Sequence, residues 1–218
     1  MKRLERPGAA AIAAVAAILF VYLATAVAHG PAGRFDLAVR DTVHSWASPP
    51  LTYAMRGVTL LGSSAILVPL GIVLAWRLLA RGRRAAVVLL AVAALGGEAW
   101  DQGLKLLFHR ERPEAFFGLA PDNYSFPSGH SMAAACFYGS LALIAAERSR
   151  SHARRRAIWA GAGALIGSIG LSRIYLGVHY PTDVLGGYLA AVAWLALIAA
   201  VTRPSTDKST SPPGRSVP

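Results

Sequence analysis

The chain has 218 residues, of which 55% are hydrophobic and 15% charged, with a mean hydropathy of +0.45. A water-soluble domain of this length carries about 25% charged residues, so the composition excludes that class and points to lipid as solvent. The formal net charge of +11 would suit nucleic acid, but the basic residues stand in short clusters between apolar runs, which is the pattern of membrane topology and excludes an extended basic binding face.

Lys2, Arg3 and Arg6 precede an almost uncharged run over 8–28. About twenty apolar residues cross the hydrocarbon core, so this run predicts a first transmembrane helix. Ala26-Val27-Ala28 resembles a cleavage site, but the run is longer than the ~7 to 15 residues of a signal-peptide core, which favours a retained helix. Residues 30–50 mix Phe35, Leu37, Val39, Val43 and Trp46 with Arg34, Asp36, Arg40, Asp41 and His44, the composition of an amphipathic segment lying in the interface. His29 and His44 are expected at the surface.

A second span is predicted over 58–79 and a third over 85–108. The third carries Glu98, Asp101, Gln102 and Lys105 at helical spacing. Polar residues of this kind inside a span are expected to look into the bundle. A polar, Pro-rich loop follows over 109–130, then spans over 131–146, 157–171 and 182–201. The lone Cys136 allows no intrachain disulfide and reads as a small buried hydrophobe. The Ser-, Thr- and Pro-rich stretch 203–218 lacks apolar periodicity and is expected to be a disordered cytoplasmic tail after one domain over 1–202.

Arg77, Arg81, Arg83 and Arg84, and Arg148, Arg150, Arg154, Arg155 and Arg156, mark cytoplasmic loops by the positive-inside rule. Both termini are then cytoplasmic, and the polar segments 30–57, 108–130 and 172–181 share the opposite face. Lys105, Arg112 and Arg173 gather three permanent cations there, a site for a multiply charged anion such as phosphate. Ser128-Gly129 before the fourth span would aim a helix N-terminus at the same anion. His179, with Asp183 one helical turn later, can act as a nucleophile, and His130 completes an acid and nucleophile pair. The alternatives are a helix-start pair that merely satisfies polar groups, and a metal site built from His130, His179 and Asp183. Three nearby cations would repel a divalent ion, so no metal is expected.

Three stretches carry a resemblance: Lys105, six residues, Arg112-Pro113; Pro127-Ser128-Gly129-His130; and Ser172-Arg173, five residues, His179, three residues, Asp183. Together they resemble the type 2 phosphatidic acid phosphatase family of membrane lipid phosphatases, whose site is shared with vanadium haloperoxidases. The resemblance implies an all-α polytopic bundle of about six transmembrane helices with a catalytic cap on the non-cytoplasmic face, in a plasma or inner membrane. It implies a phosphorylated membrane lipid as partner, no nucleic acid and no cofactor. Lys105, Arg112 and Arg173 would clamp the phosphoryl oxygens, with Ser128 and Gly129 adding donors. His179 would attack phosphorus, Asp183 would orient its ring and His130 would protonate the leaving group.

The reaction implied is hydrolysis of a phosphomonoester or diphosphate lipid. Transfer of the phosphoryl group to a second lipid, or non-catalytic lipid transport, are the other readings. Outside the pattern, Glu98 and Asp101 are expected to balance Lys105, His109 and Arg110 to border the head group, Tyr175 and Tyr180 to anchor in the interface, and Phe116 and Phe117 to dip into the bilayer.

Overall fold

A computed structural model describes residues 6–30, 32–118 and 122–202. The tail 203–218 and the basic pair Lys2 and Arg3 lie outside the described residues. Among the described residues eight helices follow in order: α1 Arg6–Ala28, α2 Ala32–His44, α3 Pro49–Leu60, α4 Ser64–Ala80, α5 Arg84–Phe108, α6 Gly129–Arg148, α7 His152–Tyr175 and α8 Pro181–Val201. Five of them are long and apolar enough to cross a membrane, and α3 with α4 can form a sixth, broken span.

The second span therefore differs from the continuous helix expected over 58–79. The chain turns at Leu61-Gly62-Ser63, where Leu61 N–H donates to Val58 C=O and Gly62 N–H to Thr59 C=O, and the two helices meet at a 46° bend. A Cβ at Gly62 would sit 2.6 Å from Ile169 Cγ2 and 3.3 Å from the His130 carbonyl. The break lets α3 lie against α7 and sets the turn at Gly62 against the start of α6. Helix α7 also begins earlier than expected, because the Ser151 hydroxyl accepts from Arg154 N–H and starts the helix there.

Helix α6 is the central element. It packs on α5, α7 and α8, while α8 also packs along α1. Its apolar stretch is 61% buried, whereas none of the other four long apolar helices passes 33%; outward-facing residues, including Ile18, Tyr22, Trp76, Leu95 and Leu106, are exposed as lipid-facing surface must be. A core of Phe20, Leu104, Phe126, Met132, Cys136 and Ala191 lies beneath the polar end. Small residues let the helices approach closely. At Gly187 of α8 a Cβ would fall 2.7 Å from the Ser128 carbonyl and 3.2 Å from Met132 N.

Two amphipathic expectations are corrected. In α2 the buried face is the polar one, with Asp36 and Arg40 turned inward and Phe35 and Leu37 about half exposed. The helix meets a polar cap, so its charges find partners inside. Of Glu98, Asp101, Gln102 and Lys105 in α5, only Asp101 and Lys105 are buried. Glu98 and Gln102 are exposed and hydrogen-bond each other at 2.8 Å, because the two i, i+4 pairs occupy neighbouring stripes of the helix.

Candidate active site

The linker between α7 and α8 is only five residues long, and its turn is made by Gly177 at φ +77°. Pro181 fixes the first helical position of α8. Asp183 then falls at the third, where its Oδ2 accepts from Tyr180 N–H at 2.8 Å. The same oxygen lies 3.3 Å from His179 Nδ1. The carboxylate thus starts a helix and holds an imidazole. His179 itself is 1% exposed.

His179 Nε2 lies 2.9 Å from Arg112 Nη1. A guanidinium only donates, so Nε2 carries the lone pair and the proton sits on Nδ1, toward Asp183. Burial pushes the His179 pKa down to about 4; Asp183 acts against that shift, and Arg112 and Arg173 reinforce it. At neutral pH the ring is uncharged, with its free electron pair directed at a cation.

Arg112 is itself fixed. Its Nη1 donates to Val178 C=O at 2.8 Å and its Nε to Asn123 C=O at 2.7 Å, while Nη2 bonds the Asn123 side chain. Burial lowers its pKa, with Asp183 and Asp101 opposing. Arg173, near the end of α7, is 7% exposed and donates from Nη1 to Thr59 Oγ1 at 2.8 Å. Its buried Nε has no partner among the described residues, which leaves a donor open to an anionic oxygen.

Lys105 is ion-paired with Asp101 on α5, and both are buried. The pair lies against the start of α6, where a Cβ on Gly129 would meet Lys105 Nζ at 2.8 Å. His130 interacts electrostatically with Arg173, His179, Lys105 and Arg112. All three stretches therefore converge on one place. Ser128 fits the expectation less simply. Its N–H donates to Asp183 C=O at 2.9 Å, and its hydroxyl accepts from Ser131 at 3.0 Å, so its amide joins the second stretch to the third instead of facing an anion. The remaining N–H groups of the first turn of α6 have no intrahelical acceptor and give that end its anion preference.

Several residues were placed wrongly by sequence reasoning. Arg110 does not border a head group: it donates to Asp183 Oδ1 at 2.6 Å, to Asp36 Oδ2 at 2.7 Å and to Thr182 Oγ1 at 2.8 Å. Its guanidinium lies over the Tyr180 ring at 4.2 Å, so Tyr180 supports a cation. Burial opposes the Arg110 charge, but Asp183 and Asp36 outweigh it and raise its pKa. Tyr175 is fully buried, its hydroxyl 2.8 Å from Thr52 Oγ1. Phe116 stacks on His44 at 3.8 Å beneath Arg40, and Phe117 stacks on Tyr175. Both phenylalanines hold the loop down, and His44 is part of that stack. Asp36, Arg110 and Thr59 were missed; the one available signal was the pair Asp36 and Arg40 at i, i+4 on a helix expected to face water.

A family model described as PAP2 superfamily matches residues 84–207, leaving α1 to α4 outside the match. The chain is 30% identical to phosphatidylglycerophosphatase B of Bacillus subtilis over 172 residues, 78% of this chain and 85% of that protein. It is 36% identical to lipid A 1-phosphatase of Rhizobium johnstonii over 108 residues, 45% of this chain and 40% of that protein. Among solved structures, the transmembrane PAP2-type phosphatidylglycerolphosphate phosphatase of Bacillus subtilis superposes with a TM-score of 0.79 at 28% identity, covering 85% of this chain and 93% of that one.

Proposed function

The chain belongs to the PAP2 superfamily and is a multi-pass membrane lipid phosphatase, and from that premise we propose that His179 is its nucleophile and a phosphomonoester lipid of the phosphatidylglycerol phosphate type its substrate. The observation that carries this reading is the imidazole held between Asp183 at Nδ1 and Arg112 at Nε2. Arg112 marks where a phosphoryl group binds. A phosphoryl oxygen there accepts from the guanidinium that now faces Nε2, and phosphorus comes within reach of the lone pair.

In the proposed reaction Nε2 attacks phosphorus and the bond to the lipid oxygen breaks. His130 gives its proton to that oxygen, and the lipid alcohol leaves. The phosphohistidine is then attacked by water, whose proton returns to His130, and inorganic phosphate departs as the N–P bond breaks. Each step is the reverse of the other in its proton traffic. Arg112, Arg173 and Lys105 neutralise the phosphoryl oxygens throughout, the work that metal ions do in other phosphoryl-transfer enzymes.

The relatives named for phosphatidylglycerophosphate support the choice of lipid. The basic loops at one end of the bundle support cytoplasmic termini and a site on the outer face. Purified protein in detergent with EDTA should release inorganic phosphate from phosphatidylglycerol phosphate faster than from phosphatidic acid or undecaprenyl diphosphate, and His179→Gln should lower that rate at least a thousandfold. Disappearance of substrate without free phosphate would indicate transfer to a second lipid, and EDTA-sensitive release would indicate a metal.

A further inference from the structure

We propose that Asp36 and Arg110 are positioning residues for the His179–Asp183 pair, so that α2, which lies outside the matched family residues, completes the site. The inference rests on the reading of His179 as nucleophile.

Asp36 is fully buried. Its Oδ1 accepts from Thr182 N–H at 2.9 Å, and its Oδ2 from the Thr182 hydroxyl at 2.7 Å and from Arg110 Nη2 at 2.7 Å. A carboxylate from α2 thereby satisfies a first-turn N–H of α8, a group with no partner inside its own helix. Through Thr182 it fixes the residue adjoining Asp183, and through Arg110 it fixes Asp183 itself.

Arg110 divides its fork, with Nη2 on Asp36 and Nη1 on Asp183 Oδ1. Asp183 is then held on both oxygens, by Arg110 on one and by Tyr180 N–H and His179 on the other. Its carboxylate cannot rotate without breaking a buried ion pair. The imidazole it faces keeps one orientation and one tautomer.

The arrangement also sets charge. His179 faces Asp183 of α8, Arg112 of the 109–128 segment, Arg173 of α7 and His130 of α6, with Arg110 and Asp36 of α2 acting behind Asp183. Removing the Arg110 charge leaves Asp183 more negative toward the ring and makes the imidazolium easier to form. Removing the Asp36 charge does the opposite.

The test is the pH profile of phosphate release from phosphatidylglycerol phosphate by the full chain in detergent. Arg110→Gln should lower kcat at least tenfold and move the acid limb of kcat/KM up by about one to two pH units, the order expected for removing a unit charge from the far side of Asp183 at an effective dielectric near 20. Arg110→Lys restores the charge, so its limb should lie within half a unit of wild type. A single ammonium cannot reach both carboxylates, so its kcat should remain about tenfold low. Asp36→Asn should lower kcat without raising the limb, and adding it to Arg110→Gln should cost less than a further factor of about two.

Loss of activity by the same factor at every pH in Arg110→Gln, or effects of the two changes that multiply, would overturn the proposal. Should Arg110→Gln not purify as a monodisperse species, Asp36→Asn carries the comparison with the opposite sign, its limb moving down while that of Arg110→Lys stays in place. A His179→Gln variant that keeps its activity would remove the premise instead, and so identifies that separate failure.

Discussion

Thr59 stands in none of the three stretches that define the site, yet its hydroxyl at 2.8 Å is the acceptor for the Arg173 guanidinium. Thr59→Val keeps the shape of the side chain and removes the oxygen. Both groups are buried, at 9% and 7% exposure, and Arg173 Nε already has no partner among the described residues. The variant therefore leaves a second guanidinium N–H unpaired in a poorly hydrated place. Leaving a buried donor to a charged group unpaired costs about 1 to 3 kcal/mol, or roughly a 5- to 150-fold change in an equilibrium or rate. Part of this should be recovered when phosphate binds, because the anion offers the missing acceptor. Two measurements follow: kcat/KM for phosphate release, expected to fall within that range, and thermal unfolding in detergent with and without inorganic phosphate, expected to show a larger phosphate-induced rise than wild type. A kcat/KM within twofold of wild type together with an unchanged melting profile would refute the account of Thr59 as the support of Arg173.

The His179 pKa of about 4, against 6.5 for an ordinary histidine, fixes a sign. A histidine held neutral by the fold contributes stability that is fully present above 6.5 and is lost as pH falls toward 4. Between pH 7 and pH 5 this amounts to about 2 kcal/mol, and unfolding measured at the two pH values should show that loss in wild type but not in His179→Gln; an equal slope in both would refute the assignment. Gly187→Val should lower stability by about 1 to 3 kcal/mol, because the new Cβ meets Ser128 and Met132 backbone atoms that cannot yield, whereas Gly161→Ala, with nothing within 4 Å, serves as a control whose melting temperature should not fall. Equal melting temperatures for the two variants would show that α6 and α8 do not need the close approach.

The spans and the His179–Asp183 pair were legible because their signals are local. Twenty apolar residues declare a span whatever lies beside them, and His179 with Asp183 is one turn of helix by spacing alone. Arg110, Asp36 and Thr59 were not legible, since each acquires meaning only from a partner more than seventy residues away. The break at Leu61-Gly62-Ser63 was hidden for a related reason. At the break Gly62 lies against Ile169 and His130, where an added Cβ would clash, while the local sequence remains apolar enough to read as continuous. The buried polar face of α2 reversed an expectation because amphipathicity fixes which residues share a side, not which side meets the protein.

Asp183 opens the last helix and, with the same carboxylate, grips the ring of His179, while its carbonyl receives the amide of Ser128. In the reaction proposed above, reactivity is tied to the order of synthesis. A nascent chain synthesised through α7 and the linker that carries His179 already contains its arginines and both histidines, yet has nothing to steady the imidazole until its closing span is seated. Completion of the bundle thereby becomes the event that arms the protein.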